Sequence, residues 1–167
     1  IAVSRRDHLC AAFNNRLGFV DICELDSTLG GRAPGQAAIA QIVSGMPSDG
    51  YGRGAVAPIL PNEPTLFYRA GLENVCAQVA AMTIDAKANA NQPGAKVWSS
   101  SQPDAAIAEF VSTVMALTSS DPRAAQATTI LSSNFHAGMQ AGQTASDSLK
   151  STFVAACLSP SFIGIGM

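Results

Sequence analysis

The stretch Pro103 to Cys157, PDAAIAEFVSTVMALTSSDPRAAQATTILSSNFHAGMQAGQTASDSLKSTFVAAC, decides the fold class. Pro103 opens a pattern in which Ile107, Phe110, Val111, Val114 and Met115 recur at i, i+3, i+4, i+7 and i+8, the stripe of an amphipathic helix. Asp121 followed by Pro122 is a cap with proline in the first turn, and Ala127, Ile130, Leu131, Asn134 and Phe135 continue on one side. Thr144 with Asp147 makes a Thr-x-x-Asp start that leads to Leu149, Phe153, Ala156 and Cys157 before Pro160. Three such stripes joined by short turns must pack on each other, because no single helix can bury its own apolar face. Phe110, Val114, Ile130, Leu131, Leu149 and Phe153 are the core expected from this trio.

Working outward, Asn62 to Asp85 carries Tyr68, Leu72, Val75, Cys76, Val79 and Met82 on one helical face, suited to pack on the C-terminal trio. Gly71 weakens its middle by about 1 kcal/mol relative to Ala. Near the start, Ser4 and Asp7 form a Ser-x-x-Asp cap, Leu9, Phe13 and Leu17 follow at helical spacing, and Gly18 supplies the stop. Phe19 to Leu25 fits a short helix or an extended piece. Pro34 suits a first helical turn before the stripe Ile39, Ile42, Val43 and Met46. Ala86 to Gln102 reads as polar loop, with Lys96, Val97 and Trp98 extended. No strand-like alternation of useful length occurs. The expected fold is all-α: an irregular helical bundle of about five to six helices with long Pro/Gly-rich loops, stapled by disulfides. It is expected as one domain over residues 1–167, with a loop-rich arm, 1–64, packing on a helical core, 65–167.

At 167 residues the chain is long enough for one full-sized domain. Charged residues are 13% against a globular norm of roughly 25%, while hydrophobic residues are 47%, a balance opposite to that of disordered chains. Much of the surface is therefore Ala, Ser, Thr, Gly, Asn and Gln, a composition compatible with burial against other subunits. The net charge of −2 and the dispersed basic residues, with Arg5-Arg6 the sole adjacent pair, oppose a counterion-release mode of nucleic-acid binding. No apolar run approaches the ~20 residues of a membrane span.

Cys10, Cys23, Cys76 and Cys157 fall in no CxxC, CxxCH or Cys/His metal spacing. An even number of scattered cysteines, in a chain that opens on Ile1 as though processed, points to two structural disulfides in an oxidising compartment. Of the three connectivities, Cys10–Cys23 with Cys76–Cys157 is favoured. The chain can double back after Gly18 to bring Cys23 beside Cys10, and Cys76 and Cys157 each sit on the apolar edge of a helix. The competing state is four buried free thiols.

Catalytic chemistry finds little footing. His8 lies on a helix beside Asp7 and two residues from Cys10, a spacing that sends the two side chains in different directions. His136 flanks the stripe of Phe135, with Met139 three residues on. Covalent haem needs CxxCH, and nothing aligns a His and a Met toward one pocket for non-covalent haem. No GxSxG elbow occurs, and the glycines of Gly30-Gly31 and GYGRG (Gly50 to Gly54) lack the strand and Lys-Ser/Thr of a phosphate loop. No catalytic, cofactor or metal residue is expected. A candidate interaction surface lies in the Pro- and Gly-rich stretch Pro47 to Pro64. Tyr51 and Arg53 are residue types enriched at interface anchors, and Ile59 and Leu60, held extended by prolines, suit packing across a helix or a neighbouring subunit.

The closing segment Ser148 to Met167, SLKSTFVAACLSPSFIGIGM, resembles the end of helical domains in secreted proteins of environmental bacteria, some of which travel with cytochrome modules. Its motif is no more specific than an alanine-rich helix followed by Ser-Pro, and no function is carried over from it. The expected function is that of a non-catalytic extracytoplasmic protein (periplasmic, cell-surface or secreted), serving as a structural or accessory subunit or interaction domain. Its partners would be other protein subunits in a homo- or hetero-oligomeric assembly, with no cofactor, no nucleic acid and no transmembrane segment. The alternative is a redox or haem-associated helical protein, or an enzyme whose site is assembled from dispersed residues.

Overall fold

The structure, a computed structural model, describes residues 2–3, 6–24, 35–46, 66–87 and 94–165. In chain order these form β1 (Ala2–Val3), α1 (Arg6–Leu17), α2 (Gln36–Ser44), α3 (Leu66–Thr83), α4 (Pro103–Glu109), α5 (Pro122–Gln140), α6 (Ala145–Cys157), α7 (Pro160–Ile163) and β2 (Gly164–Ile165). A π-helical turn, Phe110–Val114, prolongs α4. The fold is all-α, with one disulfide joining α3 to α6 and another tying α1 to the turn after it.

The helix ends follow their capping chemistry. Asp121 Oδ1 accepts the Arg123 N–H at 2.9 Å while Pro122 fills the first turn of α5. Thr144 Oγ1 accepts the Asp147 N–H at 3.1 Å and donates to the Asp147 carboxylate at 2.8 Å, which fixes the start of α6. Gly18, at φ +73°, donates its N–H to the Asn14 carbonyl at 3.0 Å and closes α1. Ser4 and Pro34, expected to begin α1 and α2, lie outside the described residues.

The buried apolar side chains among the described residues, Ala40 apart, form one cluster. All six residues of the α3 stripe, Tyr68 to Met82, are buried in it, and α1 contributes Leu9, Phe13 and Leu17 with no exposed surface. At its centre Phe110 and Phe153 meet edge-on at 5.3 Å between ring centroids, with Trp98 at 5.0 and 5.8 Å from them. Five of the six core residues expected from the C-terminal trio are buried.

Ile130 is the exception: it is 59% exposed. The inward stripe of α5 is Ala127, Leu131 and Phe135, spaced by four, and one residue back from Leu131 turns the side chain about 100° round the helix. Phe19 to Glu24 is a turn, neither of the two forms expected, and it plugs Phe19 and Ile22 into the core. The stretch after α3 is better fastened than a polar loop. Trp98 donates its backbone N–H to Thr83 and accepts from Asp85, both at 2.8 Å, pairing with Ile84 in a parallel bridge. Lys96 donates its backbone N–H to Leu17 at the end of α1, also at 2.8 Å. The two ends of the chain meet in a two-stranded antiparallel pair, Ala2 opposite Ile165 and Val3 opposite Gly164.

Candidate functional site

The fold brings the four cysteines together in two pairs. Cys10, on α1, is bonded to Cys23, in the turn after it, with 5.9 Å between Cα atoms. Cys76, on α3, is bonded to Cys157, the last residue of α6, with 6.0 Å between Cα atoms. This is the pairing favoured by the sequence, and no cysteine is free. The two bonds differ in setting. Cys76 and Cys157 are fully buried, whereas Cys10 and Cys23 are half-buried at the edge of the core.

The turn that presents Cys23 is held independently of its sulfur. Asn14 Oδ1 accepts the Ile22 N–H at 3.2 Å, and the Gln36 side-chain amide, buried on α2, donates to the Asp21 carbonyl at 3.0 Å. Next along α1, Arg16 donates through Nη1 to the Val114 carbonyl at 2.6 Å and lies over the Phe162 ring, 5.3 Å from its centroid. Partial burial lowers the pKa of Arg16 below its ordinary value. The carbonyl it binds closes the π turn, so the guanidinium caps a helix end that has no further N–H to offer.

Two carboxylates fasten the loop on the far side of α3. Glu109 Oε2 accepts the Trp98 indole N–H at 3.0 Å and the Lys96 ammonium at 3.2 Å. The indole hydrogen bond is the larger cause that holds the Glu109 pKa below 4.5. At Asp85 burial works toward a higher pKa, but the Ser100 N–H at 2.8 Å, the hydroxyls of Ser146 and Ser100 and the charge of Lys150 outweigh it, and the net shift is downward. Both groups are held by structural partners, and their lowered pKa keeps them ionised at neutral pH, the opposite of a poised acid or base.

Tyr51, Arg53, Ile59 and Leu60, the interaction surface expected from the sequence, lie outside the described residues. His8 and His136 stand exposed on α1 and α5, and the His136 ring meets Phe135 edge-on at 5.6 Å. Among the described residues no group of three or more His, Cys, Asp or Glu is placed to hold a metal ion. The outward face of α5, with Gln126, Thr129, Ile130, Ser133 and Ala137, carries no charge, and the helix's Arg123 is bound by Asp121 at 2.8 Å. Sequence reasoning missed Arg16 and Trp98. Arg16 stands in the last turn of α1, a position that signals an interaction with that helix's own last carbonyls and not with Val114, 98 residues away. Comparison with protein-family models, with curated proteins and with solved structures returned no match.

Proposed function

We propose that the chain is a non-catalytic helical protein of an extracytoplasmic, oxidising compartment, where it serves as a structural or accessory subunit of a larger assembly. The observation that carries this proposal is the pair of disulfides, which between them engage every cysteine. Bonds of this kind persist in secreted and periplasmic proteins and are reduced in the cytosol. The assembly role draws its support from the surface, where charged residues are scarce and the outer face of α5 presents Ile130 among small uncharged side chains. Among the described residues no helix is long and apolar enough to cross a membrane.

Light scattering on the gently isolated native protein, followed by chemical crosslinking with mass spectrometry, tests the proposal. The expected result is a species heavier than the 17.1 kDa chain, with crosslinks that join it to a second protein chain. A monodisperse single chain at cellular concentration would overturn the assembly role, and a visible absorption band from a bound chromophore would overturn the reading in favour of a redox or haem-associated protein.

A further inference from the structure

We infer that Cys10–Cys23 is a reversible thiol–disulfide exchange site for a dithiol, while Cys76–Cys157 is a permanent staple. Three observations converge. The first bond joins half-buried residues at the edge of the core, and the second joins residues with no exposed surface. Exchange requires a thiolate to reach a sulfur in line with the bond, so access governs the rate. The second observation is sequence distance. Cys10 and Cys23 are 13 residues apart on one local unit, whereas Cys76 and Cys157 are 81 apart on α3 and α6, which must separate before a reagent can enter.

The third observation makes the exchange reversible. Once the bond is open, the turn keeps its other anchors: Asn14 Oδ1 on the Ile22 N–H, the Gln36 amide on the Asp21 carbonyl, and Phe19 and Ile22 in the core. Cys23 therefore stays beside Cys10 at high effective concentration, ready to bond again. In the forward step a dithiol attacks one sulfur as its thiolate and the other leaves as a thiolate. The reagent's second thiol then resolves the mixed disulfide. The dithiol gives up two electrons and two protons and ends as a disulfide, and Cys10 and Cys23 end as two thiols.

The test is time-resolved alkylation of the intact folded protein in dithiothreitol without denaturant, read by peptide mapping together with far-ultraviolet circular dichroism. Cys10 and Cys23 should become alkylatable together with helix content unchanged. Cys76 and Cys157 should react slower by about a hundredfold or more, because their exposure needs the core to open. Removing dithiothreitol before alkylation, in air or with an oxidised dithiol, should restore Cys10–Cys23. Equal rates for the two bonds, loss of helix content on opening the first, or failure of Cys10 and Cys23 to pair again would each overturn the inference. The double variant Cys10→Ser with Cys23→Ser gives a second check: it should keep the helical spectrum and lose the fast phase alone.

Discussion

Gly18 and Gly94 meet backbone to backbone, and the Gly94 carbonyl lies where a β-carbon on Gly18 would have to go. Both have positive φ, +73° and +95°. Their contact seats the 94–98 stretch on the end of α1, where the Lys96 N–H reaches the Leu17 carbonyl. Gly18→Ala adds a left-handed penalty of about 1–2 kcal/mol and displaces backbone that has no flexible side chain to yield. The total loss should be about 2–4 kcal/mol in urea unfolding. A loss within 0.5 kcal/mol, which is roughly the scatter of surface substitutions, would mean that the two segments do not press on each other.

Adjacent residues on α5 should behave oppositely. Leu131, 4% exposed, should cost about 2–4 kcal/mol as alanine, whereas Ile130→Ala should stay within about 0.5 kcal/mol in the isolated chain. Paired denaturation curves decide it. Comparable losses at both positions would mean that α5 is rotated from the orientation described or that a partner covers Ile130 in the sample measured.

Acid sensitivity should pass in part through Glu109. Its pKa is depressed in the folded state, first by the Trp98 indole, so its contribution is present above the unfolded value and is lost as pH falls through the lower folded one. Glu109→Gln keeps an acceptor for the indole but cannot titrate. The variant should therefore show a shallower fall of the unfolding midpoint with pH on the acid side. Trp98 is the chain's one tryptophan, so its fluorescence reports the transition directly. Parallel pH profiles for the two proteins would count against the assignment.

Replacing Cys76 and Cys157 together by alanine should cost about 4.5 kcal/mol, the chain-entropy value for a loop of this length. The closed loop spans 81 residues, so freeing it should cost about 1.5 kcal/mol more than freeing the 13-residue loop, since the term grows with the logarithm of loop length. Thermal melts of the two double variants should rank accordingly. A larger drop for the Cys10 and Cys23 pair would reverse the roles assigned to the two bonds.

The helices were legible because caps and stripes are local. Asp121-Pro122, Thr144 with Asp147 and the six-residue face of α3 each declare themselves within a few turns. The disulfide pairing followed from the same stripes, since Cys76 and Cys157 both lie on apolar faces. What escaped was non-local or phase-neutral. The Ile84–Trp98 bridge and the pairing of β1 with β2 are made by backbone groups, which leave no periodic mark in the side chains. The π turn after Glu109 keeps Phe110, Val111 and Val114 buried, so its sequence pattern matches that of an ordinary helix. Ile130 was misplaced because apolarity alone set its side of α5, whereas the packing of Leu131 set it in the fold. Of the candidate site, the cysteine pairs could be read from the sequence. Arg16 could not, because its partner Val114 lies 98 residues away.

The same two bonds decide how the molecule would behave as a spring. A pull on the paired ends, Ala2 against Ile165, would unzip the short ladder one hydrogen bond at a time and then travel inward to the first sulfur. From there the load crosses Cys10–Cys23, runs on to Cys76 and passes straight to Cys157. With both bridges intact the chain could extend to only about 270 Å, against about 600 Å with both reduced. Everything between Cys76 and Cys157, including the Trp98, Phe110 and Phe153 cluster, would carry no tension, so the aromatic centre could stay folded while the rest of the chain was drawn out.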